Sequence, residues 1–449
     1  MGRNSQQRRA RKQRRTAATQ RSAPLRATSA SGPTLDEVLD ITCRAAHGPG
    51  ADKALFATAI VYLERLEDGE DPLDRPSTRA GQLLRQLTEA ILDGGWQPAD
   101  LAHVVRREWT QRTARLAVSL LADHSRRFDA PTRAPHEWVG QLQELGVVDR
   151  AGAVLGGRGD LVAAWARTER LHPHDALAGA VQLLAQLRQL PRLGTVLTPP
   201  SKWGASNRGL QPQVATGEVD EKALRLIRAL LSKAEATTFE AEAESFTAKA
   251  QELMTRHSID AAVMAASQHT TGHTGGVQSR RVHIDNPYGD EKATFLAAIA
   301  SVNSVRSIWM PAAGFSTLMG FPVDLQLTDV LFTSLLVQAT HASTAATKHD
   351  ARLRTPSFRR AFLIAFADRI AERLEATRHH VAQAAAAEYG GALVPILADR
   401  LAAVDAAYEA AFPNATQMRS RRLNSAGWAA GRAAAEHADI GVGEALPGG

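Results

Sequence analysis

The stretch from Glu221 to Asp260 constrains the fold more than any other part of the chain, because its apolar residues recur at helical period twice in succession. Ala223, Leu224, Ile227, Leu230, Leu231 and Ala234 make one stripe, and Arg225, Arg228, Ser232 and Glu235 take the opposite face. Thr237, followed three residues later by Glu240, has the form of a capping box and restarts the chain as a second helix. There Ala243, Phe246, Ala250, Leu253 and Met254 repeat the stripe. Two such helices joined by a short turn predict an αα-hairpin, placed at 218–262.

At 449 residues the chain exceeds one ordinary core and predicts two or three domains with tails. Apolar residues make up 44% of it, many of them alanine, which favours helix over strand. The single cysteine, Cys43, excludes an intramolecular disulfide framework and fits a reducing compartment. The N-terminus is charged with no apolar run behind it, and no window holds the roughly eighteen uninterrupted apolar residues of a spanning helix. The expectation is a soluble, cytoplasmic protein without a membrane partner.

The net charge of +6 is unevenly distributed. Arg3, Arg8, Arg9, Arg11, Lys12, Arg14, Arg15, Arg21 and Arg26 precede the first acid, Asp36; without those nine cations the chain has 44 basic against 47 acidic residues. The segment 1–34 has no apolar periodicity and no aromatic residue, so it is expected to be a disordered basic tail.

From Thr34 to about Leu193 amphipathic blocks of helical length follow one another, giving an all-α domain at 35–193. In "GGWQPADLAHVVRREW", Pro98 suits the first helical position, and Asp100 lies in the first turn, where the helix dipole favours an acid. Residues 194–217, rich in Gly, Pro, Ser and Asn, read as a linker, and 263–279 as a flexible joint. Beyond it, "RRVHI", "VRSIWMP" and "FSTLMGF" are strand-like, the last two separated by "AAG" as in a hairpin. Long helices are expected at about 324–348 and 357–388, with "ALVPIL" as a fourth strand before another helix. The whole reads as a mostly α multidomain protein whose C-terminal part, 280–442, is α+β with a small antiparallel sheet, ending in a tail at 443–449.

The hairpin invites a helix-turn-helix reading, but its second helix carries Glu240, Glu242, Glu244 and Glu252 against Lys249 and Arg256, and phosphates would repel it. The basic tail is the better nucleic-acid candidate, through Arg8, Arg9, Arg11, Lys12, Arg14 and Arg15; the alternative is a solubilising tail with no specific role. Two further groups join it. Ser357 is read as capping a helix whose first turn holds Arg359 and Arg360, with Lys348, Arg352 and Arg354 just upstream, an arrangement suited to anions. Arg419, Arg421 and Arg422 form the other. Solvated helix and loop ends are the alternative for both.

No metal or cofactor is expected. Fifteen histidines are scattered without an HExxH or CxxC spacing: His172 and His174 straddle a proline, His269 and His273 lie in the joint, and His341, His349 and Asp350 near a helix end. No catalytic residue is assigned; Asp324 is the acid to watch, with helix capping as its expected role. Trp309, Phe315 and Trp428 are expected in the core, and Gly427 and Gly431 on one face of a closely packed helix.

The segment "LIRALLSKAEATTFEAEAESFTAKAQELMTRHSID" resembles the signature of domain of unknown function 2786, a family found largely in actinobacteria and their phages. "GWQPADL" upstream, and "LMGFPVDLQLTDVLFTSLLVQAT" and "SFRRAFLIAFADRIAERL" downstream, look like features that accompany the hairpin in that family. Phe246 departs from the small residue expected there. The resemblance implies a fold and no chemistry. The functional expectation is a non-enzymatic protein that associates with DNA or RNA through its basic tail. A protein-interaction module docking a partner on the hairpin, and a hydrolase or nuclease with a dispersed site, are the alternatives.

Overall fold

The computed structural model describes residues 33–68, 71, 74–204, 221–236, 240–267, 276–348, 353–413, 415 and 425–437. The basic tail and the Thr237 cap lie outside them. The chain is mostly α-helical with one small antiparallel sheet, and it divides into two compact units, residues 1–87 with 158–189, and residues 88–157 with 190–449. The stretch 35–193, read as one all-α domain, is thus shared between them.

In the first unit, α1 (Leu35–Ala46) opens with the capping box of Thr34 and Glu37. Helices α2 (Lys53–Glu64), the start of α3 (Pro76–Asp93), α8 (Leu161–Glu169) and α9 (Pro173–Leu187) complete it. Its core holds Leu39, Ile60, Leu63, Leu84, Trp165, Leu177 and Val181, each 5% exposed or less. Gly179 of α9 is required there, because a Cβ would lie 2.8 Å from the Trp165 ring. Cys43 is buried against the Val181 carbonyl, and burial pushes its thiol up to about 11, so it is not a ready nucleophile.

The second unit begins with α4 (Pro98–Glu108), α5 (Gln111–Arg127), the single turn α6 (Ala130–Arg133) and α7 (His136–Glu144). The segment expected to be a linker is described only to Gly204, and that part is docked. Trp203 is 6% exposed, packed edge-on to Trp138, and Arg133 donates to the Trp203 and Gly204 carbonyls at 2.9 and 2.8 Å. A tryptophan inside a Gly/Pro/Ser-rich run has enough apolar surface to anchor it.

The hairpin consists of α10 (Glu221–Ala236) and α11 (Glu240–Ser267). Its stripes enter the core of the unit: Leu224, Ile227, Leu231, Ala250 and Met254 join one apolar cluster with residues of the C-terminal helices. Phe246 is half-buried, with Lys233 Nζ 5.4 Å from its ring centre, and is not part of that cluster.

Strands β1 (Gln278–His283), β2 (Arg306–Met310) and β3 (Phe315–Gly320) form the sheet in the order β1-β3-β2, antiparallel throughout. The β2–β3 hairpin expected around "AAG" is present, and Gly314 takes the left-handed conformation it requires (φ +72°). Helices α12 (Gly289–Val302), α13 (Pro322–Ala346), α14 (Pro356–Tyr389), α15 (Leu393–Ala411) and α16 (Ser425–His437) complete the unit. Phe358, Phe362 and Phe366 recur every four residues on α14, and Phe295 of α12 packs edge-on between Phe332 and Phe366. "ALVPIL" is not a strand: after a short 3₁₀ turn at Gly390–Ala392 it opens α15. Pro395 is tolerated in the first helical turn but would remove a ladder hydrogen bond from a strand. By length and composition, the helical run Pro356–Ala411 could cross a membrane, with a mean hydropathy of 1.2 in its most apolar window.

Gly427 and Gly431 let α16 lie directly on α14. A Cβ at either would run into a backbone carbonyl, Phe358 for the first and Phe362 for the second. Gly431→Ala is expected to destabilise by about 1–3 kcal/mol through overpacking, partly offset by the roughly 1 kcal/mol helix preference of alanine. Urea unfolding measures the difference, and a stabilised variant would refute the close approach.

Candidate functional site

Of the residues read as phosphate contacts, Arg8, Arg9, Arg11, Lys12, Arg14, Arg15, Arg421 and Arg422 lie outside the described residues. Arg359 and Arg360 are exposed on the first turn of α14. Thr355, not Ser357, caps that helix, its hydroxyl accepting from the Phe358 amide at 3.2 Å. Pro356, with its φ already helical, takes the first helical position and moves the start back. Arg360 Nε lies 3.5 Å from the buried Glu291 carboxylate, whereas Arg359 makes no ion pair among the described residues. Arg354 donates to the Thr347 and Lys348 carbonyls at the end of α13, where a cation is favoured.

On α11, Lys249 pairs with Glu252 at 2.9 Å, and Arg256 with Asp260 at 3.1 Å and Glu388 at 2.6 Å. Both cations are committed within the chain. His172 is the N-cap of α9 and His174 lies in its first turn, with Nδ1 3.0 Å from Glu64. His269, His273, His349 and Asp350 lie outside the described residues, among which no three His, Cys, Asp or Glu side chains are arranged to hold a metal ion. Phe315 is fully buried; Trp309 is half-buried and donates from Nε1 to Asp290 at 3.0 Å; Trp428 is half-buried on α16.

Two polar clusters of the second unit were not legible as such in the sequence. The first lies where α4 covers the sheet. Asp100 is fully buried and accepts from the Gln97 amide at 2.9 Å, as a first-turn acid should, but it also accepts from Arg281 and, at 2.9 Å, from His283 Nε2. Arg281 and His283 alternate along β1 and so share a face, on which Phe315 lies beneath the guanidinium at 5.0 Å. Burial alone would raise the Asp100 carboxyl; the His283 hydrogen bond and the Arg281 charge outweigh it and hold the pKa below the usual aspartate value. His103, 1% exposed, stacks on His283 with ring centres 4.7 Å apart and donates from Nε2 to the Gly314 carbonyl at 2.9 Å. Its Nδ1 is buried without a hydrogen-bond partner. Burial and the neighbouring His283 charge lower its pKa to about 4, so it is neutral at pH 7.

The second cluster surrounds a small cavity between α11, the start of α13, α14 and α15. Asp324 is the third residue of α13 rather than its cap, and it is 4% exposed. One carboxylate oxygen accepts from Ser258 Oγ at 2.5 Å and the other from Arg400 Nη2 at 2.9 Å. Arg400 also lies over the Phe321 ring at 3.7 Å. Arg378 donates to the Val302 carbonyl and to Ser304 Oγ, the latter at 2.7 Å. Here residues of the hairpin's second helix meet two arginines and an acid from helices further along the chain. The only advance signal was the position of Asp324.

Comparisons with curated proteins and with solved structures return no match. Residues 222–261, which are α10 with most of α11, match the family model described as protein of unknown function (DUF2786), and the hairpin that supplies Ser258 to the cavity is therefore similar to that family.

Proposed function

We propose that this chain is a non-enzymatic, cytoplasmic protein that associates with nucleic acid through sequence-indifferent phosphate contacts of its basic N-terminal segment. The observation that carries the reading is charge segregation: nine cations and no acid lie before Asp36, while acids slightly outnumber bases in the rest of the chain. Arg359, exposed and without an ion pair among the described residues, supports it. The paired cations Lys249 and Arg256 of α11 support it indirectly, because both already face carboxylates of the chain. The region from 280 to 442 is read as the companion of the hairpin in its family.

The test is binding of the full-length protein to unrelated duplexes over a range of salt. The slope of log affinity against log salt is expected near −0.9 per neutralised phosphate, with little sequence preference. Replacing the nine tail cations by Gln should flatten that slope, and Arg359→Ala should flatten it further than Arg360→Ala, since Arg360 already faces Glu291. Tight, sequence-selective binding by the neutral-tail variant would overturn the proposal. Absence of binding at low salt would transfer the case to a protein-interaction role, which the exposed apolar residues Leu55, Val61, Tyr62 and Leu66 along α2 and just beyond it favour.

A further inference from the structure

The geometry points to the cavity under the hairpin as a binding site for one phosphate group, independent of the basic tail. Its volume is about 40 Å³, where a single water needs roughly 10–15 Å³, so it has room for one tetrahedral oxyanion. Thr255, Ser258, Asn303, Ser304, Asp324, Arg378 and Arg400 make up its polar lining. The charges among them do not cancel. Asp324 has both oxygens committed, to Ser258 and to Arg400, so that acid and Arg400 neutralise one another. Arg378 has only neutral oxygens as partners and no carboxylate among the described residues. A half-buried guanidinium lacking a counter-ion is costly, and an anion beside it relieves that cost.

The donors also suit phosphate. Ser304 Oγ accepts from Arg378, which leaves its own hydrogen available to donate. Arg378 and Arg400 retain unused N–H groups, and stacking on Phe321 fixes the plane of the Arg400 guanidinium. Guanidiniums from α14 and α15 and a hydroxyl from the turn after α12 match the several oxygens of phosphate better than the two of a carboxylate. The group could be free phosphate or the terminal phosphate monoester of a nucleotide or oligonucleotide, for which the chemistry is shared.

The full-length protein would be titrated by calorimetry with inorganic phosphate, and with acetate at matched ionic strength. Competition with a nucleoside 5′-monophosphate, and with a short oligonucleotide bearing either a 5′-phosphate or a 5′-hydroxyl, identifies the source. Phosphate is expected to bind at one site and acetate at least tenfold more weakly. Arg378→Gln should weaken phosphate at least tenfold. Ala382→Leu, which fills the cavity without touching a charge, should do the same and serves if the arginine variant does not fold. Competition by the 5′-phosphorylated oligonucleotide but not its 5′-hydroxyl form supports a terminal monoester, and competition by inorganic phosphate alone supports a free-phosphate site. Replacing the nine tail cations by Gln should leave this binding unchanged. Failure of phosphate to bind, or equal binding by wild type and both cavity variants, would overturn the assignment while leaving the duplex-binding proposal standing.

Discussion

Asp100→Ala is expected to destabilise the second unit by about 3–5 kcal/mol, the loss typical when one partner of a buried ion pair is removed. Arg281, whose side chain is 3% exposed, would keep its charge without a carboxylate, and its Nε is already without a partner. The Gln97 amide and His283 would lose their acceptor in the same step. Urea unfolding followed by tryptophan fluorescence measures the change, since Trp96 packs edge-on to Phe315 at 5.9 Å within the same contact. The double variant Asp100→Ala, Arg281→Met separates the cost of an orphaned charge from the worth of the pair. It should recover much of the loss, because an apolar side chain replaces the uncompensated cation. A single variant costing under about 1 kcal/mol would mean that water reaches Arg281.

What the sequence disclosed follows the range over which each interaction is written. The hairpin stripes were legible because burial of a helix face repeats every three to four residues, and Ile227, Leu231, Ala250 and Met254 are buried accordingly. The β2–β3 hairpin was legible because its turn is local. Asp100 was readable only as a first-turn acid: its partners Arg281 and His283 are 181 and 183 positions away, and no period links them. The same holds for Arg378 and Arg400, ordinary helix arginines until the fold gathers them around Asp324. "ALVPIL" was misread because its composition is strand-like; Pro395 and the two preceding glycines were the better guide. The exposure of Arg359 near the start of α14 was legible because helix starts are local, but the cap is Thr355 and not Ser357, and Glu291 opposite Arg360 was not legible.

Acidification from pH 7 to about 4.5 is expected to weaken the second unit by several kcal/mol through His103 and His124. Both have pKa values lowered to about 4, first by burial; His283 adds to the shift at His103 and Arg127 at His124. The unfolded chain takes up a proton near the ordinary histidine value of about 6.5, while the folded chain resists until about pH 4. Stability from these groups is therefore complete above pH 6.5 and falls as pH drops toward 4. At about 1.4 kcal/mol per pH unit for each group, the ceiling is roughly 3 kcal/mol apiece. Asp100 contributes little in this window, because its unfolded pKa, about 3.9, and its still lower folded pKa both lie below it and the carboxylate is charged in both states. Asp329, raised by burial, opposes the trend, since its protonation favours the folded state. Urea midpoints from pH 7.5 to 4.5 test this. His124→Phe keeps the stack on Phe128, where ring centres are 4.4 Å apart, and removes a buried ring nitrogen that has no partner. It should flatten the pH dependence by about half, and His103→Asn should remove much of the remainder. A pH profile as steep in both variants as in wild type would show that neither imidazole is held neutral by the fold.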